Sequence, residues 1–182
     1  MKGLVFTTFF DFCDDRFGAD MLDDVIEDAR LPHGGAYTSV GTYPFDEMVA
    51  LITALVQRAG STMPTMLEQF GAFCFQCWVK KFPAMFAGRD LFDVLANIDS
   101  FHESEVRKLY PDAELPSFQV VARGTDHVLL HYRSCKPLAD LALGVIRGAA
   151  EHLRSPVHVS HCKVGNDVRF RVERIDARRL AA

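Results

Sequence analysis

The sequence predicts an α+β protein, with a helical N-terminal part followed by two β-hairpins that flank one helix. Apolar residues recur at three- and four-residue spacing through the first two-thirds of the chain, as along one face of an α-helix. After Pro116 the spacing changes to two, the period of a half-buried strand. We expect one domain over residues 1–182, helical at about 1–110 and ββαββ at about 116–176, with helices covering one face of an antiparallel sheet.

Five stretches of the N-terminal part have helical periodicity. They are residues 4–17, 19–30, 44–60, 66–83 and 89–102. Gly60 ends the third stretch and Pro83 the fourth. Thr65 and Glu68 have the spacing of a capping box, which predicts that the fourth helix begins at Thr65.

The C-terminal part reads as hairpin, helix, hairpin. The first hairpin spans 117–134 and turns at Gly124-Thr125-Asp126, and the second turns at Gly165-Asn166-Asp167. Between them, residues 137–154 predict a helix with Pro137 in its first turn. In the last strand Val168, Phe170 and Val172 alternate with charged residues, which predicts one buried face.

Composition excludes several classes of function. The formal charge of −4 argues against nucleic acid or an anionic membrane as a partner, because both attract basic surfaces. No apolar run reaches the length of a membrane span, and acidic residues at 11, 14 and 15 are atypical of a signal peptide. Five cysteines without a disulfide-framework spacing suit a reducing compartment, so we expect a cytoplasmic protein. The common hydrolase, kinase and nucleotide-binding motifs are missing, and we expect no enzyme activity.

His102 lies at the end of an apolar helical face, after Leu91, Leu95 and Ile98. Most histidines in such positions are core residues whose polar atoms are satisfied. The alternative is an axial metal ligand, since one neutral imidazole in a dry pocket is enough to hold a haem iron.

A row of polar side chains follows at Tyr132, Ser134 and Lys136. On a strand these three would point the same way and present two hydroxyls and a cation. Such a row suits a pair of carboxylates, as haem propionates are, although a strand end with an exposed lysine is the simpler interpretation.

Two further interpretations remain open. Cys74 and Cys77 form a CxxC within an apolar helix, where packing is favoured, but a thiol redox sensor using Cys74, Cys77 or Cys162 is an alternative. The fifteen phenylalanines also permit a pocket for another apolar ligand.

Several segments together resemble one family, the heme-nitric oxide/oxygen binding (H-NOX) domains, related to the haem domain of soluble guanylate cyclase. The segments are MKGLVF at 1–6, FGAFCF at 70–75, FPAMFAGRDL at 82–91, VRKLYPDAELPSF at 106–118, YRSCK at 132–136 and GVIRGAAEH at 144–152. The resemblance implies a ferrous haem b between the two parts of the chain, with His102 as its proximal ligand. It also implies that Tyr132, Ser134 and Lys136 bind the propionates and that Pro116 presses on the haem.

The resemblance further implies a distal pocket and a signalling role. The residues at or near the distal positions are Val5, Phe9, Cys74, Trp78, Leu141 and Val145. Leu141 stands where oxygen-binding members have a hydrogen-bonding tyrosine, which implies that a five-coordinate haem binds NO and CO but little O₂. The partner implied is a histidine kinase or a cyclic-di-GMP enzyme.

Besides Leu141, the chain departs from the family pattern in three places. Lys136 replaces an arginine, so the charge is kept but the bidentate fork is lost. One extra residue separates His102 from Val106, which would put Glu103 at the usual spacing. Because Leu95 and Ile98 lie on the same helical face as His102, we assign the ligand to His102 and expect an irregularity in the helix directly after it. The zinc-binding segment of some relatives is reduced to His161 and Cys162.

Overall fold

Helices occupy the chain as far as Leu109, and strands begin at Ser117. The computed structural model describes residues 1–32 and 34–175. The helices of the N-terminal part are α1 (Gly3–Phe17), α2 (Ala19–Ala29), α3 (Phe45–Ala59), α4 (Met63–Lys81), α5 (Pro83–Phe86), α6 (Leu91–Ala96), α7 (Ile98–Phe101) and α8 (Arg107–Leu109). A further helix, α9 (Ala139–His152), lies between the two hairpins of the sheet. A π-helical turn, His102–Val106, joins α7 to α8 and is called the π-turn below.

The strands form one four-stranded antiparallel sheet, which confirms the predicted α+β class. They are β1 (Ser117–Arg123), β2 (His127–Arg133), β3 (Val157–Val164) and β4 (Asp167–Arg174), in the order β1-β2-β4-β3. Leu130 lies opposite Phe170 at the centre, and both are fully buried. The alternation of apolar and charged residues along β4 therefore gives the sheet one buried face, as predicted.

The start of α4 differs from the prediction. The helix begins at Met63, and Thr62 caps it by accepting a hydrogen bond at Oγ1 from the Thr65 N–H at 3.4 Å. Pro64 is tolerated there because the first turn of a helix has no partner for that N–H. The prediction that Thr65 begins the helix was wrong, since Thr65 lies within its first turn.

Two other boundaries also move. The predicted helix at 89–102 is interrupted at Asn97, whose side chain donates to the Asp93 carbonyl at 2.7 Å. Helix α9 begins at Ala139 with Leu138 before it, so Pro137 precedes the helix and was wrongly placed in its first turn.

Helices α4 and α9 pack with their backbones close together. A Cβ added to Gly71 would collide with the Leu141 carbonyl oxygen, and one added to Gly144 would collide with the Glu68 carbonyl oxygen. The two glycines are therefore required by this approach, which brings Leu141 and Val145 of α9 alongside α4.

Among the described residues, buried apolar side chains form two clusters. The helical cluster draws on α1 to α4, with Phe9, Phe12 and Cys74 among its members. The sheet cluster contains Phe118, Tyr132 and the inward side chains of the sheet, together with α6 and α9. Trp78 packs against both clusters, which places it at the boundary between them.

Candidate haem site

His102 is the first residue of the π-turn. The Arg107 N–H bonds to the His102 carbonyl, five residues back, instead of to the residue four back as in an α-helix. The wider turn accommodates one additional residue without rotating the helix that follows. The irregularity expected after His102 is thus confirmed, and π-turns of this kind are frequent at functional sites.

The His102 imidazole has an unsatisfied nitrogen. Its Nδ1 is buried and no partner meets the full geometry of a hydrogen bond, although the Pro116 backbone is near enough to act as a weak hydrogen-bond partner of the ring and to raise its pKa. Burial is the largest influence and lowers the pKa of His102, against the opposing effect of Asp99. The ring is therefore held neutral, which is the form that binds a metal.

Glu103 has a different environment. It is exposed and accepts a hydrogen bond at 2.7 Å from Arg107 Nε, one turn along the same surface. A solvated carboxylate paired with a guanidinium is a poor candidate for a buried ligand. The buried position of His102 and the exposed position of Glu103 favour His102 as the iron ligand, in agreement with the assignment made from the apolar helical face.

Asp99 connects this segment to the sheet. Its Oδ1 accepts from the Phe118 N–H at 2.7 Å, and its Oδ2 accepts from Ser117 Oγ at 2.9 Å. The start of β1 is thereby fixed to α7, one turn before His102. The His102 ring lies 6.4 Å from that of Phe118, so Asp99 controls the spacing between the imidazole and β1. The sequence patterns did not identify Asp99, because its partners lie 18 and 19 residues away.

The predicted polar row is present, although not on one strand. Strand β2 ends at Arg133, so Ser134 and Lys136 lie in the turn beyond it, and the prediction of three side chains along a strand was wrong. The turn nevertheless brings Ser134 and Lys136 together, since the Lys136 N–H donates to Ser134 Oγ at 3.1 Å. Burial raises the pKa of Tyr132, and a hydrogen bond with Ser134 acts in the opposite direction.

Lys136 already has a carboxylate partner. Its Nζ donates to Glu114 Oε2 at 2.5 Å. Burial is the largest single influence and acts to lower the pKa of Lys136, but the hydrogen bonds and charges of Glu114 and Cys135 together outweigh it, and the pKa is raised. Glu114 was not identified from the sequence.

Most of the predicted distal residues lie in or against the helical cluster. Phe9 and Cys74 are buried in it, and Val5 and Leu141 pack against it while half-buried. Val145 differs, because it packs against the sheet cluster, and Trp78 touches both clusters. Apolar side chains left half-buried inside a domain are what the walls of an apolar ligand pocket require.

The cysteines of the CxxC are not activated. Both are free thiols; burial raises the pKa of Cys74 strongly and also raises that of Cys77. A reactive thiol has a lowered pKa, so this environment disfavours the redox interpretation for the pair. Cys162 is an exposed residue of β3.

These observations define a haem-binding class of domain. A neutral imidazole with a buried, unpartnered nitrogen fits an iron, two hydroxyls and an ammonium fit propionates, and half-buried apolar walls fit a porphyrin. Within the described residues, no cluster of three or more histidine, cysteine or acidic side chains could hold a separate metal ion.

Comparison with known proteins identifies the family. The profile of the haem-NO-binding family matches residues 2–161. The ferrous, unliganded H-NOX protein of K. algicida is 32% identical, covers 97% of both chains and superposes with a TM-score of 0.88. Its A71G mutant gives a TM-score of 0.90 at 32% identity, with 99% of this chain and 100% of that chain covered. The chain belongs to the H-NOX family of haem-based gas sensors.

A more distant structure agrees in fold. The H-NOX protein of S. oneidensis in its Fe(II)NO state is 22% identical, with a TM-score of 0.87, and covers 97% of this chain and 100% of that one. A comparison with curated protein sequences finds no match. Across the described residues, no helix is both long and apolar enough to cross a membrane.

Proposed function

We propose that this chain senses nitric oxide through a five-coordinate ferrous haem b and is not itself an enzyme. The observation that carries the proposal is the buried, unpartnered imidazole nitrogen of His102 at the start of the π-turn. When bound, ferrous haem supplies an iron that takes up diatomic gases. His102 would hold that iron, and Tyr132, Ser134 and Lys136 would hold the propionates.

The choice of gas rests on Leu141. Its side chain has no hydrogen-bond donor, whereas bound O₂ is stabilised by one and NO and CO bind ferrous haem without one. A leucine at this place therefore supports sensing of NO and CO with little stable oxygen binding.

Transmission of the gas-binding signal would begin at the helical segment that contains His102. Asp99 holds this segment against β1, so a movement of His102 would change how the helices pack on the sheet. A gas can shift that equilibrium only by binding one arrangement more tightly than the other. We propose that the chain acts in the cytoplasm and that the partner that responds to this change is a histidine kinase or a cyclic-di-GMP enzyme.

Absorption spectra of the purified protein test the proposal. We expect a Soret band in the ferrous wild type, shifts with NO and with CO, and no stable oxygenated species in air. His102→Gly should lose the five-coordinate spectrum and regain it with added imidazole, while the matched Glu103→Gln should resemble the wild type.

Each contrary spectrum would refute a different part of the proposed function. A protein without a Soret band would refute haem sensing. A stable oxygenated form would refute the selectivity argued from Leu141. Loss of the haem spectrum in Glu103→Gln alone would show that the ligand had been assigned one residue too early.

A further inference from the structure

The side chain of Lys136 is mostly covered by the protein, while its partner carboxylate is exposed. The Lys136 side chain is 12% exposed and that of Glu114 is 70% exposed. The other close neighbour of Nζ is Cys135 Sγ at 3.4 Å, a weak acceptor. Glu114 is thus the carboxylate that pairs with this charge.

Glu114 lies on the segment 111–116, which connects the helices to the sheet. Ala113 of this segment is buried, and its N–H donates to the Tyr110 carbonyl at 3.1 Å. The segment ends at Pro116, beside His102. The ion pair therefore joins the segment that precedes β1 to the turn that follows β2.

A propionate and Glu114 offer Lys136 the same chemical group. An arginine could bind two carboxylates through its planar fork, but an ammonium is a compact point charge whose two carboxylate partners would repel each other. If Lys136 takes a haem propionate, as the proposed function holds, Glu114 must share it or give it up.

We propose that Glu114 competes with a haem propionate for Lys136, and that this competition sets how firmly the chain retains haem. The inference rests on the proposed function, because it requires haem at this site. Glu114 is a positioning residue in this scheme. It holds Lys136 in place before haem enters, and weakens the contact between Lys136 and the propionate afterwards.

The rate of haem loss to an excess of a haem-scavenging protein tests the competition. We expect Glu114→Gln to slow haem loss about fivefold, as suits one partly exposed ion pair. Asp112→Asn is the matched control. Asp112 lies on the same segment and pairs with Lys2 at 2.6 Å, with side-chain exposures of 69% and 14%, but it does not touch Lys136. Its rate should stay within about twofold of the wild type.

Two further experiments distinguish competition between Glu114 and the propionate from a general change in structure. With haem dimethyl ester, which has no carboxylates, Glu114→Gln should have no effect. In a Lys136→Arg background the guanidinium can hold both carboxylates, so Glu114→Gln should again have little effect.

The outcomes are distinct. Unchanged or faster haem loss in Glu114→Gln, or equal slowing with the ester, would overturn the competition alone, with haem binding intact. A wild type without a Soret band would overturn the proposed function and the competition with it.

Discussion

At the scale of single residues, Asp99 is the side chain that fixes the position of the candidate ligand. Its two oxygens accept hydrogen bonds from the first residues of β1, and it lies one turn before His102. Hydrogen bonds to an ionised acceptor are stronger than neutral ones. Asp99 therefore fixes the helical segment to the sheet where the two meet.

We predict that Asp99→Ala lowers the free energy of unfolding by about 1–3 kcal/mol, because the Phe118 N–H loses a charged acceptor. Denaturant unfolding of the haem-loaded protein measures the change. Asp99→Asn keeps one acceptor oxygen and should lose less, and Ser117→Ala, which removes only the hydroxyl, should lose least. A loss in Asp99→Ala no larger than in Ser117→Ala would contradict this role.

The residues that the sequence identified differ from those it missed in the range of their contacts. His102 could be singled out because an apolar stripe at helical spacing leads to it, and a local pattern contains that information. Asp99 and Glu114 act through partners 18 to 22 residues away, which only the folded chain brings close. Ser134 and Lys136 were identified, but their position beyond the end of β2 was not, because the end of β2 depends on where its pairing with β1 and β4 stops.

At the scale of elements, the π-turn explains how an extra residue can follow His102 without disturbing the site. One inserted residue would rotate the rest of an α-helix by about 100°. The wider turn absorbs that rotation, so His102 stays on the face of Leu95 and Ile98 while Tyr110 keeps its hydrogen bond to the Val106 carbonyl at 2.8 Å.

We predict that deleting Ser104, an exposed residue of the π-turn, restores an ordinary helix and leaves haem binding intact. The free energy of unfolding should change by no more than about 1 kcal/mol, as for other surface changes. Absorption spectra and denaturant unfolding measure the two effects.

Deletion of Ser100 is the matched control, since it is an exposed serine on the other side of His102. That deletion rotates the imidazole relative to Leu95 and should abolish the five-coordinate spectrum. If both deletions abolished it, the π-turn itself would be required, and its role would not be to absorb one residue.

The order of elements could be predicted from the sequence, but several boundaries could not. The change of period near Pro116 separates the helical part from the sheet, and glycine turns mark both hairpins. At the end of a helix, several nearby residues can have the sequence signature of a cap. Thr62 and Thr65 both resemble caps, and which one acts depends on how far α4 must extend to pack on its neighbours.

At the scale of the whole molecule, two apolar clusters meet along a boundary instead of merging into one core. Adjacent residues of α4 belong to different clusters, Cys74 to the helical one and Phe75 to the sheet one. Helix α9 likewise packs Leu141 against the first cluster and Val145 against the second. Two helices therefore span both clusters, and the proposed haem would lie between them.

We predict that removing haem lowers the melting temperature by about 5–10 °C, because a ligand at a hundred times its dissociation constant stabilises a fold by about 2.7 kcal/mol.

Without the ligand the two clusters should also unfold less cooperatively. Trp78 is the single tryptophan of the chain and touches both clusters, so its fluorescence reports the boundary. Far-UV circular dichroism reports the helices as a whole. In the haem-free protein the Trp78 transition should precede the loss of helix, whereas with haem the two transitions should coincide, as in two-state unfolding. Coincident transitions and equal melting temperatures in both forms would mean that the clusters act as one core without the cofactor.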